Sequence, residues 1–130
     1  MTFATRSALI ALLACAVAPA VALAAPPTPQ SQFMDNCSAC HQATGKGIKG
    51  AFPALAGSPL VQGDPAIVTS TVLNGRAGMP AFKDDLSDAE LSAILTYVRT
   101  SWGNKGKPVT AADVAKVRKA PPKARGLQAH

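Results

Sequence analysis

Cys37-Ser38-Ala39-Cys40-His41 is the stretch on which this sequence turns. On a helix, two cysteines three positions apart share one side, one turn above the other. His41 follows at once. That spacing lets two thiols add to the two vinyl groups of one flat macrocycle while the imidazole reaches its metal. C-x-x-C-H is the attachment motif of c-type haem. The expected cofactor is therefore haem c (iron), one per chain, bonded through Cys37 and Cys40 with His41 on the iron. Two other chemistries fit less well. Zinc needs four ligands, and no second Cys or His pair stands in the body of the chain. A thioredoxin-like redox pair needs a βαβ setting, and no strand-like alternation occurs.

The opposite face of the iron needs a second ligand. Met79, in Gly78-Met79-Pro80, is the candidate. Small neighbours let the backbone approach a flat group, and a proline stiffens the loop. A soft thioether suits a low-spin iron, and His/Met ligation raises the reduction potential. Core filling is the ordinary role of a methionine. The competing ligands are poorly placed: Met34 is three residues before Cys37, His130 ends the chain, and Met1 leaves with the leader.

Outward from these residues the chain divides by composition. Arg6 and the apolar run Ala8 to Leu23, with Ala22-Leu23-Ala24 as a small-x-small site, read as a secretory signal over 1–24. The alternatives are an uncleaved anchor, short and Ala-rich with Pro19 inside it, and lipoprotein processing at Cys15. Residues 25–103 are expected to form the haem domain. Residues 104–130 read as a basic extension, with a short helix at about 110–120 and a disordered end. From Ala25 to Trp102 five basic residues face six acidic ones, whereas Gly103 onward holds seven basic residues and Asp113. A near-neutral body without a basic stripe points away from nucleic acid. Gly45-Lys46-Gly47 lacks the upstream glycine and following Ser or Thr of a phosphate-binding loop.

Local signals give an all-α, small domain of three to five short helices and long loops wrapped around one covalent haem. Thr28 and Pro29 start a helix running from Gln30 to Ser38. Residues 44–59 form a Gly- and Pro-punctuated loop. Asp64-Pro65 starts a second helix, which Asn74-Gly75 stops. Ser87 and Glu90 form a capping box and Leu86 with Leu91 a hydrophobic staple. Leu91, Ile94, Leu95, Val98 and Trp102 then mark a buried face. Thr110 and Asp113 cap a last helix, stopped by Pro121-Pro122. Few aromatics make the core small, so a cofactor has to help stabilise it.

With these features in place, residues 33–102 resemble the class I monohaem cytochrome c family. Phe52-Pro53-Ala54-Leu55-Ala56-Gly57 matches the segment that follows the attachment site there. The resemblance implies that the Pro53 carbonyl accepts a hydrogen bond from the haem-ligating His41, orienting the ring and strengthening it as a donor. It also implies that Phe33 on the first helix meets Tyr97 on the last. Pro29 and Gln30 stand where the family often has a glycine, so a shorter or looser crossing is expected. Trp102 is read as packing or as a propionate donor, and Arg76 as a propionate partner or a solvated residue.

The function implied is periplasmic electron transfer, not enzyme catalysis. Redox partner proteins are expected: a dehydrogenase or quinol-oxidising donor, and a terminal oxidase or reductase acceptor. A membrane is involved only if the signal stays uncleaved. A second reading is a dedicated cytochrome c subunit of a dehydrogenase complex, docked through its basic segment. A haem peroxidase or gas sensor requires an open sixth position and ranks below both.

Overall fold

The computed structural model describes residues 25–121. The expected signal over 1–24 and the expected disordered end, 125–130, lie outside them. Six helices follow in order: α1 (Pro29–Asn36), α2 (Ser38–His41), α3 (Pro59–Gln62), α4 (Pro65–Asn74), α5 (Asp88–Thr100) and α6 (Ala111–Lys119). No strand occurs among the described residues, only the isolated bridges Ile48–Phe52 and Arg76–Met79. The all-α architecture is as expected. The count exceeds three to five because α2 and α3 are single turns of four residues.

The caps explain the boundaries. The Thr28, Ser58 and Asp64 side chains accept backbone N–H groups at the starts of α1, α3 and α4, each with a proline in the first turn. Both Ser87–Glu90 and Thr110–Asp113 form reciprocal capping boxes. The first helix, expected to continue to Ser38, breaks at Cys37, which has φ −126° and ψ −30°. Ser38 Oγ donates to the Met34 carbonyl at 2.6 Å, and Asn36 Nδ2 to Gln32 at 2.8 Å. Side chains thus occupy carbonyls that the helical ladder uses, a known cause of bending. Helix α5 stops at Thr100 rather than Trp102. Trp102 and Gly103 turn to φ 53° and 82°, which swings the indole back toward the body.

The helices α1 and α5 cross through aromatic rings. Phe33 lies 5.6 Å from Tyr97 and 5.2 Å from Trp102, centroid to centroid, and Tyr97 lies 5.6 Å from Trp102. Their tilted and edge-on arrangements are the favourable ones. Leu91, Ile94, Leu95 and Val98 are buried, as the helical spacing requires. On α4 the apolar reading holds for Val68 and Leu73, but Ile67 is exposed and Thr69 is buried, its hydroxyl donating to the Pro65 carbonyl.

Residues 104–119 pack on the body. Helix α6 lies against α4 and α5, and Val109 and Val114 are buried in the core. Arg118 donates to Asp88 at 2.7 Å, to the Leu86 carbonyl and to the Lys83 carbonyl. Arg99 is buried, 1% exposed, with no carboxylate bonded to it. Its guanidinium donates instead to the carbonyls of Lys107, Val61 and Gly63. It thereby ties α3 and the 105–107 segment to α5. Burial lowers its pKa, and Asp64 partly offsets this.

The capping boxes make stability depend on pH. Hydrogen bonds from Ser87 to Glu90, and from Thr110 to Asp113, hold both carboxyls below their ordinary values. A depressed folded pKa adds stability that is complete above the unfolded value and lost as pH falls through the folded one. Melting temperature should therefore drop as pH goes below about 4, the ordinary carboxylate range. Glu90→Gln should melt lower than the parent at neutral pH, with a flatter acid limb. Parallel acid limbs for the two proteins would refute this.

Candidate haem site

Helix α2 ends at His41, and the loop behind it folds back over the ring. The turn out of α2 uses Gln42 at φ 63°. Gly47 N–H then donates to the His41 carbonyl at 3.0 Å, and Leu55 and Ala56 N–H both donate to the Gly45 carbonyl. These bonds close residues 42–56 into a lobe. Its inner edge brings the Pro53 carbonyl to 2.9 Å from His41 Nδ1. A side chain at Gly47 would put its Cβ 2.3 Å from the Phe52 carbonyl oxygen and 2.6 Å from that of Pro53, so only glycine allows this closure. A carbonyl can only accept, so Nδ1 carries the proton, and in the neutral ring the lone pair is then on Nε2. His41 is 9% exposed, so ring and tautomer are both held.

Cys37 sits at the break between α1 and α2, and Cys40 lies within α2. Both are half-buried and neither is in a disulfide. Burial, with Cys40 adding to it, pushes the Cys37 thiol up to about 11. The pair and His41 share one backbone turn, since His41 N–H donates to the Cys37 carbonyl at 3.0 Å.

Met79 stands on a different segment, the loop after α4. Arg76 and Met79 exchange backbone hydrogen bonds of 3.1 and 2.9 Å, forming a tight turn with Ala77 at φ 51°. A Cβ on Gly75 would lie 2.6 Å from the Met79 carbonyl oxygen, so that glycine lets the loop fold back. The Met79 side chain is half-buried. Arg76 is exposed and serves this turn through its backbone. Trp102 packs on Phe33 and Tyr97, and its ring covers Gly45, where a Cβ would meet it at 2.5 Å.

These residues fit a covalent haem. Two unpaired thiols precede an imidazole whose free nitrogen is fixed by its other hydrogen bond. Apolar side chains remain only partly buried on the lobe side, at Leu55 and Leu60, and on the Met79 side, at Val72 and Phe82. Within the described residues no group of three or more His, Cys, Asp or Glu is placed to hold a metal ion. No described helix is long and apolar enough to cross a membrane.

Sequence reasoning missed Asn104, which is 5% exposed. It also counted Arg99 only as a charge. No local signal distinguishes either: Asn104 follows a glycine at a helix end and reads as a turn residue.

The chain is similar to several known proteins. The family described as cytochrome C oxidase, cbb3-type, subunit III matches residues 24–98. Cytochrome c-552 of Thermus thermophilus is 35% identical over 103 residues, covering 64% of this chain and 79% of that protein. The cytochrome c subunit of alcohol dehydrogenase (quinone) from Gluconobacter oxydans is 34% identical over 99 residues, or 66% of this chain. The chain spans only 21% of that subunit's length. Among solved structures, cytochrome c6 from the diatom Phaeodactylum tricornutum is 32% identical, with a TM-score of 0.49 over 57% of this chain and 90% of that one.

Proposed function

Because the chain belongs to the cytochrome c family, in the group described as cytochrome c oxidase, cbb3-type, subunit III, we propose that it is a periplasmic one-electron carrier rather than a catalyst. Covalently attached haem c is its cofactor. In this reading Cys37 and Cys40 would hold the haem covalently, and His41 and Met79 would ligate its iron. Pro53 orients His41. The observation that carries the reading is the His41 Nδ1 to Pro53 carbonyl bond, which leaves Nε2 as the metal-facing donor.

The bound haem supplies a reversible one-electron couple. The chain's own residues set its surroundings. His41 is held in one tautomer. Met79 is fixed on a tight turn that shapes the loop before any metal contact. Two protein ligands leave no site for substrate, so oxidation state can change with little rearrangement. Its redox partners in this reading are a dehydrogenase or quinol-oxidising donor and an oxidase or reductase acceptor.

A second reading, a dedicated subunit of a dehydrogenase, draws on the similarity to the alcohol dehydrogenase cytochrome subunit and on the charge after Gly103. Lys105, Lys107, Lys116 and Lys119 are exposed, whereas Arg118 is engaged with Asp88. Exposed ammonium groups in this segment suit an acidic docking face. Gel filtration at low salt separates the readings, since a free monomer excludes the subunit.

The purified protein should give a c-type pyridine haemochrome with one haem per chain, and a potentiometric titration should follow a one-electron curve. A spectrum without thioether character refutes the cofactor assignment. Carbon monoxide binding to the reduced protein at neutral pH refutes the closed sixth position and with it the carrier reading.

A further inference from the structure

Asn104 sits just past the end of α5, 63 positions along the chain from His41, and makes three hydrogen bonds in the interior. Its Nδ2 donates to the Val98 carbonyl at 2.9 Å and to the Leu55 carbonyl at 3.1 Å. Its Oδ1 accepts from Gly57 N–H at 2.8 Å. The amide orientation is unambiguous, because carbonyls can only accept and an N–H can only donate. One side chain therefore joins the last turn of α5 to the segment 55–57, immediately after Pro53. The opposite side of that segment is tied to the Gly45 carbonyl through Leu55 and Ala56 N–H. No other side chain among the described residues is shown bonding 55–57 to the helical body.

We propose that Asn104 is a positioning residue for the axial histidine, holding the lobe so that the Pro53 carbonyl stays on His41 Nδ1. The inference rests on the proposed ligation by His41 and adds a part to it. The route is mechanical. Leu55 is two residues from Pro53, and α5 is the most extensively buried helix, so Asn104 references the lobe to the rigid core. Without it the 55–57 segment keeps backbone bonds to Gly45 and Ser58 and the packing of Leu55, but no side-chain hydrogen bond to α5. The orientation of His41, and with it the electronic character of the iron's donor, would then depend on a loop free to open.

The test is hydrogen exchange at His41 Nδ1–H in the reduced, haem-loaded protein labelled with 15N-histidine. Asn104→Asp keeps the shape but turns two donors into an acceptor facing the Leu55 and Val98 carbonyls. Loss of two or more buried hydrogen bonds should speed exchange by about tenfold or more. Val114→Ala, in the core on α6, is the reference for general destabilisation and should leave that exchange close to the parent's. Equal exchange in the two variants overturns the proposal. A second measurement needs no variant. In the parent, Gly57 N–H and His41 Nδ1–H should share one opening equilibrium, populated more than that of the α5 amides. If Gly57 opens alone while His41 stays protected to the level of α5, the coupling is absent and the proposal fails. The haem spectrum of the parent is recorded first. A parent without c-type haem refutes the proposed function, whereas a normal spectrum with unresponsive exchange refutes only the role of Asn104.

Discussion

A chain in which Cys37 and Cys40 are both replaced by alanine should lose its haem to acidified butanone, whereas the parent keeps it in the protein phase. The thioether bonds are the only covalent links in the proposed site, so removing both leaves the haem held by two axial contacts and by packing. The effect on the fold should be equally large. The buried apolar set among the described residues has a single aromatic, Phe33, beside valines, leucines and one isoleucine. Leu55, Leu60, Val72 and Phe82 stay only partly covered by protein. A domain this small has about 5–15 kcal/mol of stability in total, and a prosthetic group that binds only the folded chain contributes directly to it. Without stable attachment the double variant should melt far below the parent, or fail to give a cooperative transition by circular dichroism. Haem retained through the extraction would show that these cysteines are not the attachment points.

Met79→Ala should abolish the methionine-to-ferric-iron charge-transfer band and lower the reduction potential by about 0.2 V, well inside the roughly 0.8 V that axial ligands span. The sign follows from the ligand. A soft thioether stabilises the ferrous state over the ferric, so its loss favours oxidation. The fold should survive, because Met79 is only half-buried and its turn is made by backbone bonds between Arg76 and Met79. Met34→Ala is the control: Met34 is 40% exposed on α1 and should change neither band nor potential. An unchanged spectrum in the Met79 variant would remove it as the sixth ligand, and a changed one in the Met34 variant would point to α1 instead.

Much of the fold could be read locally. The capping box at Ser87–Glu90, the Asp64-Pro65 start and the Leu91, Ile94, Leu95, Val98 stripe are interactions within one or two turns, so residue order alone specifies them. Where reading failed, side chains acted across the chain. The first helix breaks at Cys37 where Ser38 and Asn36 occupy helix carbonyls, a competition whose winner composition does not reveal. Trp102 leaves the helix because its ring has Phe33, Tyr97 and Gly45 to pack against. The charge-rich segment after Gly103 looks separable in composition. Yet Val109 and Val114 are core residues, and Arg118 is bound to Asp88.

The candidate site divides in the same way as the C-x-x-C-H stretch and its surroundings. Sequence by itself singled out Cys37, Cys40 and His41 as the candidate attachment residues, together with the Met-Pro loop, because their chemistry depends on spacing within a single turn or on immediate neighbours. The family resemblance pointed to the Pro53 carbonyl as the partner of His41, and tertiary structure brings the two groups together across twelve residues. Tertiary structure alone recruited Asn104 to Leu55 and Gly57, and buried Arg99 among three carbonyls. The physical reason is that a polar side chain reads as surface until the fold encloses it. Its burial is tolerated only where backbone groups from distant segments arrive to satisfy it, and that meeting exists only once α1, α5 and the lobe have packed.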